Sequence, residues 1–285
     1  MAPVDFKNLE SPYLIAEIGI NHNGDMQIAK KLLDATFACS WNCAKFQKRN
    51  PDVCVPEAQK TQKKATPWGE MTYLEYKHRI EFGKKEYDYI DSYCKEKPLD
   101  WSLSVWDIDS LNFAAQYDLP YIKIPSAHLT HYDLLKEACM LDLPIVLSTG
   151  MSTWEEIDKA VAILEKEAPQ YVLMHCNSSY PAKINELNLM MIPTLIERYK
   201  CVVGYSGHEY GLDSTTVAVS LGARVVERHI TLDHTMWGTD HSSSVEVQGM
   251  DKLYKQIRSV SAILGDGEKR LFESEKDIRK KLRGY

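Results

Sequence analysis

His208 and His229 stand at the ends of two consecutive strand-like segments, with Glu227 just before the second and Asp240 and His241 just after it. Two imidazoles with a carboxylate nearby suit manganese, iron or zinc. A hydrogen-bonded core or catalytic histidine is the competing reading. Other strand-like segments also end in polar groups: Glu17; Lys45 and Gln47; Lys123 and Ser126; Ser148; Ser178 and Tyr180; Ser206. Two lysines among several hydroxyls point to an anion, because lysine supplies compact charge and hydroxyls supply hydrogen bonds. Glycines at 150 and 207 would let backbone approach a ligand closely. The alternative for Lys45 and Lys123 is a buried ion pair with Glu17 or Glu227, a feature that active sites also use. Strand alternation turns Lys45 and Gln47 to one side, and Glu227 and His229 likewise, leaving Arg228 opposed.

Positioning these groups requires short buried strands alternating with helices. Strand patterns occupy Tyr13–Glu17, Cys43–Gln47, Trp101–Val105, Tyr121–Ser126, Pro144–Thr149, Tyr171–Cys176, Val202–Ser206 and Arg224–Ile230. Most are apolar through the middle, as strands buried on both faces are. Helical patterns lie between them, as in Met26–Cys39, Ser110–Tyr117, Trp154–Glu167 and Ser214–Leu221. Eight such units predict a single-domain α/β fold over residues 1–285, a closed (β/α)8 TIM barrel. An open doubly wound sheet is the alternative. Barrel enzymes carry their chemistry at the C-terminal strand ends, where the polar residues fall. Residues 48–82 lack periodicity but hold Trp68, Tyr73 and Tyr76, and read as a lid or subunit contact over the mouth. The charged tail, 266–285, reads as a last helix.

Composition narrows the function. Hydrophobic residues make up 44% and charged residues 26%, the balance of an ordinary globular protein. A net charge of -6 disfavours a general nucleic-acid binder. No apolar run is long enough to span a membrane, and the start lacks a signal-peptide pattern. The 7 cysteines include no C-x-x-C pair and read as reduced thiols. The expectation is a cytoplasmic protein.

The segments AEIGINHNGD, KFQ, KIPSAH, LSTGM, HCNSSYP, GYSGHEYG and VVERHITLDHTMWGTDHS, in that order, resemble the N-acetylneuraminate (sialic acid) synthases, the NeuB-like barrel enzymes. The resemblance implies condensation of phosphoenolpyruvate with the open-chain aldehyde of an aldose, giving a 3-deoxy-2-keto sugar acid and phosphate. It implies His208 and His229 as ligands of a divalent metal, manganese first, with magnesium, cobalt or zinc as alternatives. It implies Glu17 as a candidate general base near the metal and reacting water. Lys45, Lys123, Ser126, Ser148, Ser178 and Ser206 match the phosphoenolpyruvate-binding set. Gln47, Tyr180 and Asp240 match residues facing the sugar.

Departures from the family pattern fall on the sugar side. His128 stands where the family carries a glutamate, and Trp106 enlarges the segment after strand three. Both are candidate sugar contacts. The antifreeze-like domain of typical members is not expected after residue 285. The aromatic excursion is expected to take over its role within a homo-oligomer, a dimer or tetramer that light scattering would detect. Two other readings remain: a pyruvate-dependent metal aldolase or lyase, and a non-catalytic barrel that binds sugar acids.

Overall fold

The computed structural model describes residues 2–284. Eight parallel strands run β1 (Tyr13–Gly19), β2 (Cys43–Lys48), β3 (Asp100–Val105), β4 (Ile122–Ile124), β5 (Ile145–Ser148), β6 (Tyr171–His175), β7 (Val202–Gly207) and β8 (Val225–Thr231). Each pairs with its successor, and β1 pairs with β8. That last ladder closes the barrel and excludes the open sheet. Its register sets Glu17 opposite His229 on one side and Lys45 on the other.

Alternation along the strands decides where chemistry can occur. The inward sequence is Tyr13-Ile15-Glu17 on β1, Cys43-Lys45-Gln47 on β2, Tyr121-Lys123 at β4, Val146-Ser148 on β5 and Val225-Glu227-His229 on β8. The lower residues of these series form an apolar plug with Phe6, Val172 and Met174. Phe6 closes the bottom with its ring 5.5 Å from Tyr13 and 5.6 Å from Tyr121. Halfway up, the same inward face becomes polar. One period-two pattern therefore builds both the packed floor and the reactive mouth.

The outer strand faces pack against helices α1 (Met26–Ala38), α2 (Lys84–Glu96), α3 (Ile108–Ala114), α4 (Tyr132–Cys139), α5 (Trp154–Glu167), α6 (Met191–Tyr199), α7 (Asp213–Ser220) and α8 (Val247–Leu264). Local chemistry sets their ends. Thr153 and Glu156 cap each other's backbone at the start of α5, and its span is the one read from sequence. α3 starts two residues before the expected Ser110, because Asp107 is the cap and accepts from Ser110 N. The tail carries α9 (Glu273–Arg283), which buries no residue.

The excursion after β2 differs from the expected aperiodic loop. It contains helical turns at Pro51–Cys54 and Glu57–Lys60, a hairpin of Lys63–Thr66 with Gly69–Thr72, and a helix over Tyr73–Ile80. Most of these pieces have four residues, too few to express a period. Aromatic contacts anchor it across the mouth: Trp68 and Tyr76 lie 5.7 and 5.4 Å from Trp237 in the loop after β8.

His22, after β1, is wholly buried and stacks on Phe82 at 3.8 Å between ring centres. Burial drives its pKa down from 6.5 to about 3. Between those values the unfolded chain binds a proton that the folded chain refuses. The stability present above pH 6.5 therefore declines on acidification, by up to about 1.4 kcal/mol per pH unit. Melting curves across this window should show a shallower acid slope for His22→Gln than for the wild type. Identical slopes would contradict a neutral buried imidazole.

Candidate active site

A cavity of about 160 Å³ opens at the C-terminal end of the barrel, lined by Glu17, Lys45, Gln47, Trp106, Lys123, Ser126, Ser148, Ser178, Tyr180, Ser206, Glu227, His208 and His229. Twelve of the fourteen sequence-derived site residues thus line one cavity. The exceptions are His128 and Asp240. His128 packs behind Trp106, ring centres 5.2 Å apart, and Asp240 stands at the rim with Oδ2 3.8 Å from His229 Nδ1.

The floor is a chain of buried charges. Lys45 Nζ lies 2.5 Å from Glu17 Oε2 and 3.6 Å from Glu227 Oε2, and donates to Ser104 Oγ at 3.2 Å. Lys123 Nζ is 3.7 Å from Glu227 Oε1 and donates to Ser148 Oγ at 2.6 Å. The ion-pair reading of the lysines holds, and both side chains also face the cavity. Burial alone would push the Glu227 pKa up, but Lys123 and Lys45 overcome it and hold the carboxyl well below its usual range. Burial also works against the charged form of Lys45, yet Glu17 and Glu227 together raise its pKa. For Lys123, with no carboxylate as close, burial prevails and the pKa falls. Three hydroxyls stand above this floor: Ser126 and Ser178 with their oxygens 3.0 Å apart, and Ser206, which donates to Glu227 Oε1 at 3.0 Å.

On the opposite side the His208 and His229 rings meet at 5.7 Å. His208 Nδ1 lies 2.6 Å from the Asn177 carbonyl oxygen, an acceptor only, so Nδ1 carries the hydrogen. Nε2 then presents a lone pair, and it accepts from the Tyr180 hydroxyl at 2.9 Å. Burial and the neighbouring His229 lower the His208 pKa to about 4, which keeps Nε2 unprotonated at neutral pH. His229 Nδ1 is buried without a hydrogen-bond partner. These donors fit a divalent cation. Among the described residues no three His, Cys, Asp or Glu side chains form a complete cage.

Gly19, at φ 54°, sits where β1 shifts register, and a Cβ there would lie 3.1 Å from Glu17 Oε1 and 3.2 Å from Gln47 Nε2. Glycine allows both the turn and the Gln47 Nε2–Glu17 Oε1 hydrogen bond of 2.9 Å. The other two glycines differ from each other. The open side of Gly150 faces Ser178 Oγ and Cys176 Sγ in the site, whereas that of Gly207 faces Tyr205 and the Glu209 carboxylate. Gly207 is therefore small to admit a neighbouring side chain, not a ligand. Ser104 and Asn177 are partners that the motif reading passed over. Ser104 was findable from alternation, since it is two residues from inward-facing Ser102. Asn177 acts through its carbonyl, which no side-chain pattern reveals.

The chain is similar to known proteins along most of its length. The profile of the NeuB family matches residues 32–269. It is 39% identical over 255 residues to the N-acetylneuraminate-9-phosphate synthase of Drosophila melanogaster, covering 88% of this chain and 68% of that protein. It is 34% identical to the N,N'-diacetyllegionaminic acid synthase of Campylobacter jejuni, covering 96% and 85%. Among solved structures, the N-acetylneuraminic acid synthetase of Leptospira borgpetersenii, in complex with citrate, matches with a TM-score of 0.84 at 30% identity, over 96% of this chain and 93% of that one.

Proposed function

The chain belongs to the NeuB family, and from that premise we propose that it condenses phosphoenolpyruvate with the aldehyde of an N-acylated hexosamine or related aldose, with a divalent metal at His208 and His229. Phosphoenolpyruvate-dependent joining to a sugar is the common chemistry of these synthases, which are transferases. The observation that carries this chain's version is the pair of cavity-facing lysines beside two imidazoles, His229 with Nδ1 unpartnered and His208 with Nε2 turned to the Tyr180 hydroxyl.

Lys45 and Lys123 hold the phosphate and carboxylate of phosphoenolpyruvate, with Ser126, Ser148, Ser178 and Ser206 donating hydrogen bonds. Carbon three of the enol bonds to the aldehyde carbon, and the aldehyde oxygen becomes a hydroxyl with the proton that Glu17 takes from the attacking water. Water adds to carbon two, delivering one proton to Glu17, whose Oε1 is steadied by Gln47. The tetrahedral carbon then releases phosphate by carbon–oxygen cleavage, its hydroxyl proton leaving with the phosphate, and the ketone remains. Manganese, or another divalent ion, would supply Lewis-acid polarisation of the aldehyde oxygen. Gln47, Tyr180, Asp240 and Trp106, backed by His128, orient the sugar.

Phosphate release should require phosphoenolpyruvate, an aldose and metal together, and chelation should abolish it. His208→Ala should lower manganese affinity by at least about tenfold, the lower end of what losing even an outer hydrogen-bond partner of a metal ligand costs. No release across a broad aldose panel by metal-loaded protein would refute the synthase reading. Unaltered manganese binding by His208→Ala would refute the metal assignment alone.

A further inference from the structure

The outer side of the two strand ends that carry the histidines holds a buried ion pair that the chemistry above does not use. Glu209 follows His208 in the chain, and Arg228 precedes His229. Both side chains are 1% exposed, and Arg228 Nη1 lies 3.0 Å from Glu209 Oε1. The guanidinium also donates to the Gly211 carbonyl at 3.1 Å, the Thr215 hydroxyl at 2.7 Å and the Glu209 carbonyl at 2.7 Å. The Glu209 carboxylate in turn accepts from the Tyr205 hydroxyl at 2.8 Å and from Ser214. One side chain of β8 thereby fixes the path of residues 209–211 and the first turn of α7.

Backbone pairing between the two strands stops at this point. The β7–β8 ladder runs from Val225 opposite Gly204 to Arg228 opposite Gly207. His208 and His229 are the next residues on each strand, one step beyond the last rung. The Arg228–Glu209 contact bridges the strands there, from the residue before one histidine to the residue after the other. Gly207 makes room for it, since a Cβ would come within 2.9 Å of both Glu209 carboxylate oxygens. Stability does not account for the pair. Desolvating two charges offsets most of their attraction, and well-packed apolar residues often serve stability equally well. The guanidinium fork adds direction instead, because it addresses several acceptors in one fixed geometry.

We propose that Glu209 and Arg228 are positioning residues for the metal pair: their contact holds the ends of β7 and β8 together so that the His208 and His229 rings face each other across 5.7 Å. The inference rests on the metal assignment at those histidines. From the other side the Asn177 carbonyl orients the His208 ring, at 2.6 Å. Without the Arg228 contact, residues 209–211 lose their anchor, and His208 drifts from both that carbonyl and His229. The ion pair is neutral as a whole, so removing it as a unit alters geometry at the metal far more than it alters the field there.

The test is calorimetric titration with manganese of wild type, Glu209→Gln/Arg228→Met and Arg228→Lys, alongside melting curves. The double variant leaves no charge buried alone, and its glutamine amide still accepts from Tyr205, so it should melt close to wild type. Manganese should nevertheless bind roughly tenfold to a hundredfold more weakly, the range for losing an outer partner of a metal ligand. Arg228→Lys keeps the charge but loses the fork, and should weaken binding within the same range. A second readout needs no metal. Nitrogen NMR spectra of histidine-labelled protein should show His208 as a single tautomer protonated at Nδ1 in wild type and as a mixture in the double variant. Wild-type manganese affinity in the double variant, or an unchanged His208 tautomer, overturns the positioning role. If wild type binds no manganese, the metal assignment fails by itself and the spectra decide the positioning role. If the double variant does not fold, Arg228→Lys carries both measurements with the same outcomes.

Discussion

Glu17→Gln should lower kcat by roughly three orders of magnitude, within the 10²–10⁴ range for loss of a positioned general base. The replacement keeps the shape and a hydrogen-bonding oxygen beside Gln47, but cannot take a proton from water. Lys45 sits 2.5 Å from the Glu17 carboxylate and retains Glu227, so phosphoenolpyruvate should still bind. Its KM should therefore change far less than kcat. Steady-state phosphate release with circular dichroism on the same samples separates chemistry from folding. A kcat within tenfold of wild type would remove Glu17 from the proton transfer.

Glu227→Gln should have the largest effect on stability. Among the described residues, Glu227 is the one carboxylate ion-paired with both Lys45 and Lys123, at 3.6 and 3.7 Å. Removing one partner of a buried pair typically costs about 3–5 kcal/mol, because the remaining charge stays buried. At about 2–4 °C per kcal/mol for a chain of this order of size, the melting temperature should drop by roughly 10 °C. Adding Lys123→Met should recover part of the loss, since it withdraws the orphaned cation while Lys45 keeps Glu17. The acid limb follows from the depressed Glu227 pKa. Its stabilisation is complete above the ordinary glutamate value of 4.5 and disappears as pH falls through the lower folded value. Glu227→Gln should therefore lose less stability than wild type below pH 4.5. A variant that melts with wild type would show that the lysines find other counter-charges.

The same ion pairs explain a limit of reading motifs one at a time. From sequence, Lys45 and Lys123 were either anion ligands or partners of Glu17 and Glu227. In three dimensions both lysines pair with the carboxylates and also face the cavity, so the ion pairs stabilise their burial without closing them off from a ligand. His208 shows another limit. Its type and strand-end position were legible, but its tautomer depends on the Asn177 carbonyl, 2.6 Å away and 31 residues earlier.

Sequence alone determined the barrel and most of its reactive wall. Period-two alternation and the strand–helix rhythm are local properties, so Glu17, Lys45, Lys123, Ser206 and His229 could be assigned to one mouth before any contact was known. The excursion was different. Its pieces are too short for periodicity, and their placement depends on Trp68 and Tyr76 meeting Trp237 more than 150 residues away. Only tertiary structure placed Glu209 against Arg228, because 19 residues separate them and the loop after β7 must fold back on β8 to bring them together. Alternation fixes which way a residue faces within its own strand. Closure of the barrel and docking of the excursion decide what it faces.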